Sequence, residues 1–193
     1  MLDKLYGRIL ALADRPRALW WLAAVSFVES SIFPITPLVM LIPMVLARPD
    51  RAWLIAGVCT LASVAGGVAG YAIGAIFFEE VGRPVLTFYG KSAEFEQAAE
   101  MFRDNGLIAV LFAAFTPFPY KVITIGSGVA GLSMSTFILG SLIGRGAQFF
   151  LVAAILWKFG PPARAFIEAR LGLVATVGAV LLIGGFIAVK FIL

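Results

Sequence analysis

Three ionisable side chains, Glu29, Lys121 and Arg145, lie deep inside runs of apolar residues. If each run is a helix rising about 1.5 Å per residue, they lie roughly 16, 21 and 20 Å from its start, near the middle of a hydrocarbon layer about 30 Å thick. A lone charge at that depth costs at least about 2.5–3.5 kcal/mol, so such side chains are usually paired or hydrated. We therefore expect Glu29 to face Lys121, Arg145 or both.

Two cations and one carboxylate would suit an anionic headgroup, with Glu29 as a group that can also take up a proton. Several hydroxyl side chains lie near the charges in sequence: Ser30, Ser31, Thr36, Thr116, Tyr120, Thr124 and Ser127. The alternative is a structural ion pair that only holds two halves of the molecule together. The residues leave both interpretations open.

The composition excludes several kinds of chemistry. Cys59 is the one cysteine and there is no histidine, which excludes a disulfide, a Cys/His metal site and a histidine-based triad. No second carboxylate accompanies Glu29 in an apolar run. We therefore predict no enzymatic activity, no metal and no cofactor. The basic residues flank apolar runs and do not cluster, so nucleic acid is not an expected partner.

The overall composition is that of a membrane protein. The 193 residues are 61% hydrophobic and 13% charged, whereas soluble domains are about 45–50% apolar. The apolar runs recur along the whole sequence, which predicts one multi-pass membrane domain over residues 1–193. Because the net charge is +4, membrane lipids that are anionic or carry phosphate are the expected partners.

The first half combines a broken apolar run with an unbroken one. Residues 18–47 are too long for one straight spanning helix and contain Pro34 and Pro37, so they predict a re-entrant hairpin with these prolines at its tip. Residues 52–78 have the length of one crossing helix. Residues 1–17 carry leucines at helical spacing, which predicts an interfacial amphipathic helix.

The second half repeats this order. Residues 79–106 are acidic and predict a surface loop with a short amphipathic helix. Residues 107–129 predict a second re-entrant hairpin, with Pro117 and Pro119 at its tip. Two further crossing helices are predicted at 132–157 and 171–193.

The expected fold is an all-α integral membrane protein with two inverted-topology repeats. Each repeat is a proline-broken re-entrant hairpin followed by a long transmembrane helix, and an extra transmembrane helix ends the chain. The distribution of basic residues places the N-terminus in the cytoplasm. The basic residues predicted on that side are Lys4, Arg8, Arg15, Arg17, Arg48, Arg51, Lys158, Arg164 and Arg170, against Arg83, Lys91 and Arg103 outside.

Two of the three predicted crossing helices, 52–78 and 132–157, carry small residues four apart. Gly66, Gly70 and Gly74 form one stripe, and Gly140 and Gly144 form another. Such stripes let a neighbouring helix approach closely. They predict helix packing within the fold, and they would serve an oligomer equally well.

Three stretches resemble a known family: FVESSIFPITP, GGVAGYAIG and FTPFPYKVITIGSGVAGLSMSTFILGSLIGRGAQFF. They resemble the DedA family, also called VTT or SNARE-associated membrane proteins, and within it the YqaA-like branch. The resemblance covers about residues 20–160 and implies a bacterial inner-membrane protein with two re-entrant hairpins. It also implies flippase-like or scramblase-like movement of a phospholipid or an undecaprenyl phosphate carrier lipid, coupled to protons in some members.

The match to the family's functional residues is partial. Glu29 matches the hairpin acid, whereas Asp50 falls only near a second acidic position. Ala114 stands where the family motif has an arginine, and Lys121 is the nearest basic substitute for a second arginine. We expect a lipid transporter. The other candidates are a non-transporting assembly or envelope-integrity factor and a secondary transporter of small solutes or ions.

Overall fold

The computed structural model describes residues 17–31, 36–115 and 119–169, and all regular elements in these ranges are helices. In chain order they are α1 (Ala18–Ser31), α2 (Leu38–Ala47), a 3-10 turn (Pro49–Arg51), α3 (Ala52–Phe77), a π turn (Phe78–Gly82), α4 (Arg83–Phe88), α5 (Ser92–Asp104), α6 (Gly106–Phe115), α7 (Tyr120–Val129) and α8 (Met134–Ala169).

Some sequence predictions lie outside the described residues. They are the interfacial helix up to residue 16, the tip prolines Pro34 and Pro117, and the C-terminal crossing helix 171–193. The two predicted hairpins therefore correspond to the pairs α1 and α2 in the first half and α6 and α7 in the second.

The first predicted crossing helix is longer than its apolar residues indicated. Helical backbone continues from α3 through the π turn into α4, so one helical stretch runs over Pro49–Phe88. Glu79 and Glu80 mark where the side chains become polar, and that change ends the apolar run without ending the helix. Pro84 is accommodated because the π turn directly before α4 already departs from the α-helical hydrogen-bond pattern.

The second long helix is interrupted near its polar end. In α8, Phe159 has non-helical backbone angles (φ −117°, ψ 19°), and helical backbone resumes over the predicted connector. Pro161 and Pro162 follow this kink directly, at the start of the new helical segment, where the missing N–H of proline breaks no helical hydrogen bond.

The two long helices α3 and α8 organise the packing. Each first hairpin arm packs on the long helix that follows it in the chain: α1 on α3, and α6 on α8. The second arms also pack across, because α7 lies against α3 and α2 lies against α8. The four hairpin arms thus pack against two long helices, which also contact each other.

The apolar core consists of two clusters along these helices. One cluster joins α1, α2, α3 and α8 around Leu22, Leu41 and Phe149. The other joins α6, α7 and α8 around Val110 and Phe137. Phe137 and Phe149 are both on α8 but belong to different clusters. The part of α8 between them therefore passes through a layer that lies between the two apolar clusters.

The glycine stripes lie at close helix crossings. A Cβ on Gly66 would overlap the Phe27 carbonyl of α1, and one on Gly74 would overlap the Ile125 carbonyl of α7. Gly70 lies between them, against Thr124 of α7. On α8, Gly140 and Gly144 face α6, with contacts to Val110 and Ala114. Helix α3 therefore holds both hairpins through one stripe.

The outward faces of the long helices are apolar. Exposed side chains on α8 include Leu142, Leu151 and Ile155, and those on α3 include Leu61 and Ile76. Within the described ranges two helices, Pro49–Phe88 and Met134–Gly160, are long and apolar enough to cross a membrane. Exposed apolar faces of this extent suit contact with lipid.

Candidate functional site

The layer between the two apolar clusters contains an ion pair. Glu29 lies in the last turn of α1, and Arg145 lies in the middle of the spanning part of α8. Arg145 Nη2 is 2.5 Å from Glu29 Oε2, and the two side chains are only 5% and 13% exposed. Arg145, one of the two cations predicted as partners of Glu29, is therefore in direct contact with it.

Arg145 makes two further hydrogen bonds. Its Nε donates to Ser63 Oγ of α3 at 2.7 Å, and its Nη1 donates to Gln148 Oε1 one turn along α8 at 3.2 Å. Hydrogen bonds and an ion pair together satisfy a buried guanidinium far better than either does alone.

Two serine hydroxyls close a ring with the ion pair. Ser30 Oγ lies 2.7 Å from Ser63 Oγ and donates to Glu29 Oε2 at 3.1 Å. The ring Glu29, Arg145, Ser63, Ser30 therefore joins α1, α3 and α8. Ser30 and Ser63 are fully buried, so the ring is shielded from solvent on that side.

Two aromatic rings pack against the guanidinium. The Cζ of Arg145 lies 4.8 Å from the ring centroid of Tyr120 and 4.6 Å from that of Phe149. Both rings are fully buried, and the Tyr120 hydroxyl donates to Ser141 Oγ. Cation–π contacts of this kind fix the plane of a guanidinium without using its N–H donors.

The second hairpin reaches this layer through α7. Thr124 Oγ1 donates to the Ser30 carbonyl at 3.0 Å, a contact that the absent side chain of Gly70 makes room for. Ser127, one turn further along α7, is also fully buried. Its hydroxyl has no hydrogen-bond partner among the described residues. The hydroxyls of α7 thus lie at the crossing of α1 and α7 over α3.

The other predicted site residues take different positions. Lys121 lies in the first turn of α7 and is half-buried. Pro37 is buried just before α2, whereas Pro119 is exposed just before α7. Asp50 lies in the exposed turn between α2 and α3, where a hydrogen bond from Arg48 lowers the pKa of its carboxyl group.

Sequence reasoning missed Ser63, Ser141 and Gln148. A signal for Ser63 was present, because Ser26 and Ser30 on α1 repeat the four-residue spacing of Cys59 and Ser63 on α3. The structure pairs them at a constant separation of 33 residues: Ser26 Oγ with Cys59 Sγ at 3.1 Å, and Ser30 with Ser63. Small polar residues four apart in two apolar helices indicate a polar seam between them.

Comparisons with known proteins identify relatives of this chain. Residues 33–158 match the family model described as the VTT domain. Two uncharacterized proteins, one from Haemophilus influenzae and one from Histophilus somni, are each 36% identical over 168 residues, covering 85% of this chain and 87% of the relative. No solved structure matches the chain.

Proposed function

The chain belongs to the VTT domain family, and from this premise we propose that it moves a phosphate-bearing lipid from one leaflet of a bacterial inner membrane to the other. Two long apolar helices agree with the membrane association of that family. The substrate class, the direction of movement and any coupling to protons are part of the proposal.

The observation that carries the proposal is the buried Arg145 paired with a single carboxylate among the described residues, that of Glu29. A cation in the middle of an apolar bundle is costly unless an anion accompanies it. Glu29 supplies that anion in this conformation. A lipid phosphate that entered the layer would satisfy the same guanidinium, since carboxylate and phosphate bind arginine in the same way.

The packing of the hairpins supports an inverted repeat. Each first arm packs on its own long helix, and each second arm also packs on the long helix of the other half. Two copies related by a two-fold axis in the membrane plane would place each second arm against the long helix of the other copy in this way. In transporter folds of that kind, substrate sites lie near the midplane between the repeats.

Lys121 and Glu29 would have complementary tasks. Lys121 lies in the first turn of α7, where a flexible point charge could attract a headgroup before Arg145 binds it. When phosphate replaces Glu29 at Arg145, a proton on the freed carboxylate would keep the layer near neutral. That step would couple lipid movement to protons.

The test uses the purified full chain in vesicles of phosphatidylethanolamine and phosphatidylglycerol that contain NBD-labelled phosphatidylglycerol. Dithionite destroys the label in the outer leaflet, so additional loss reports lipid movement. We expect the wild type to move the label and Glu29→Gln to slow it about tenfold or more. Glutamine supplies no carboxylate to displace the phosphate from Arg145 again, and a charge-assisted hydrogen bond of that kind is worth about 1.5–3 kcal/mol.

Glu80→Gln is the matched control, since Glu80 is exposed on the surface π turn. It is expected to leave lipid movement unchanged. Full activity of a folded Glu29→Gln protein would refute the role of the carboxylate. Wild-type vesicles that move no lipid would refute the proposed function.

A further inference from the structure

The ring at Arg145 has only one consistent direction of hydrogen bonding. Arginine Nε can only donate, so Ser63 Oγ is the acceptor of that bond. Ser30 uses its proton toward Glu29, which leaves Ser63 as the donor to Ser30. All bonds of the ring therefore run from the guanidinium toward the carboxylate, and Glu29 Oε2 accepts from both sides.

This direction determines which donors of Arg145 remain available. Nε carries a single N–H, and Ser63 occupies it. Nη1 and Nη2 carry two each, and the structure uses one on each, for Gln148 and Glu29 respectively. In the described part of the chain, Arg145 thus has one uncommitted N–H on each terminal nitrogen.

We propose that Ser63 is a positioning residue that holds Arg145 by Nε, so that its two terminal nitrogens form a fork for a phosphate oxyanion. The phosphate displaces Glu29 from Nη2 and binds Nη1 and Nη2 together. The inference rests on the proposed function for the site, and it adds the binding mode and the residue that sets it.

The surroundings favour exchange at the terminal nitrogens. Tyr120 and Phe149 hold the guanidinium by its ring contacts, and Ser63 is fully buried. Glu29 is the more exposed member of the ion pair, 13% against 5% for Arg145. The carboxylate is therefore the ligand that an entering anion meets, while the arginine stays in place.

The experiment measures the initial rate of NBD-phosphatidylglycerol movement against its mole fraction in the same vesicles. Ser63→Ala removes the acceptor of Nε and lets the guanidinium rotate. We expect the half-saturating mole fraction to rise about tenfold, the effect of one lost hydrogen bond to a charged group, with a smaller change in the maximal rate. Ser63→Thr keeps an acceptor oxygen and is expected to recover most of that loss.

Ser26→Ala is the matched control. Ser26 is fully buried in the same seam between α1 and α3, but its hydroxyl bonds to Cys59 and not to Arg145. This variant is expected to keep the wild-type half-saturation. An equal shift in Ser26→Ala and Ser63→Ala would overturn the inference, because it would reduce Ser63 to a general packing role.

A second variant keeps the inference testable if Ser63→Ala does not fold. Arg145→Lys retains the charge but has no fork, so it should raise the half-saturating mole fraction as well. Wild-type half-saturation in Arg145→Lys would overturn the inference.

Uptake of radiolabelled inorganic phosphate into the same vesicles distinguishes the source of the phosphate. Uptake without lipid movement, lost in Ser63→Ala, would support the fork while refuting the proposed lipid substrate. Lipid movement with the same half-saturation in the wild type and in Ser63→Ala would refute the fork alone.

Discussion

Arg145 is the residue on which the site depends. Its guanidinium is bound by an acid, a hydroxyl, an amide and two aromatic rings, contributed by α1, α3, α7 and α8. Few other side chains could use all these contacts, since lysine has no planar fork to stack between rings. Because Arg145 and Glu29 are both buried, the free energy of unfolding should depend on whether their charges compensate each other.

Neutralising one partner of the ion pair should cost more than neutralising both. Arg145→Met leaves Glu29 without its cation in an apolar layer, and we expect the free energy of unfolding to fall by about 3–5 kcal/mol. Adding Glu29→Gln should recover most of that loss while lipid movement stays absent. Thermal unfolding in detergent measures the stabilities, and additive losses in the double variant would contradict this view of the pair.

The helices meet at this site because α3 carries glycine at its crossings. Gly66 admits the backbone of α1, and Gly74 admits that of α7. Thr124 can then donate to the Ser30 carbonyl between them. The glycine stripe of α3 therefore determines how closely both hairpins approach α3, and this sets the position of Glu29.

Gly66→Ala should be destabilising although alanine favours helices. Its Cβ would overlap the Phe27 carbonyl, so α1 must shift, at a cost of about 1–3 kcal/mol. Gly57→Ala on the same helix meets nothing within 4 Å and should be neutral or stabilising by up to about 1 kcal/mol. The melting temperatures of the Gly66→Ala and Gly57→Ala variants in detergent test this prediction. Equal effects of both substitutions would argue against a close crossing of α1 and α3.

The surface helix α5 is joined to the end of α7 by one arginine. Arg103 Nη1 donates to the Ala130 carbonyl at 2.8 Å, and its Nη2 pairs with Glu96 at 2.7 Å. Arg103→Met should therefore speed amide hydrogen exchange in α5 and in the turn after α7, but not in α3. Arg83→Met is the control, because the ion pair of Arg83 with Glu79 stays within one helical turn. Unchanged exchange in α5 would show that this contact contributes little.

The whole molecule has unlike ends. All four tryptophans lie at one end of the long helices, and Trp53 at the start of α3 is 5.8 Å from Trp157 of α8 between ring centroids. At the other end of the helical stretch Pro49–Phe88, Phe88 and Tyr89 are strongly exposed. Tryptophan near basic residues is typical of a membrane interface, and the excess of arginine and lysine predicts that this end is cytoplasmic.

Cysteine labelling in intact cells tests this orientation. Asp50→Cys should react with a membrane-impermeant maleimide only after the cells are opened, whereas Ser92→Cys should react from outside. The native Cys59 is fully buried and should stay unlabelled, so the wild type is the control. Labelling of Asp50→Cys from outside would reverse the predicted topology.

Helix content and family could be predicted from the sequence, because each depends on local properties. The depth of Glu29 and Arg145 near the midplane, which follows from the apolar runs and the rise per residue, stays a prediction. The prediction of an all-helical membrane protein of the DedA or VTT family is confirmed by the helices and by the family match. The YqaA-like branch and the inverted repeat stay predictions.

The tertiary structure decided that Arg145 contacts the acid and what holds it there. Glu29 and Arg145 are 116 residues apart. Depth alone cannot predict that contact, because it depends on which helix faces pack together. The glycines of α3 bring α1 close, and Ser63 on the same helix then links Ser30 to Arg145. A hydroxyl in an apolar run acquires that role only when three helices meet around it.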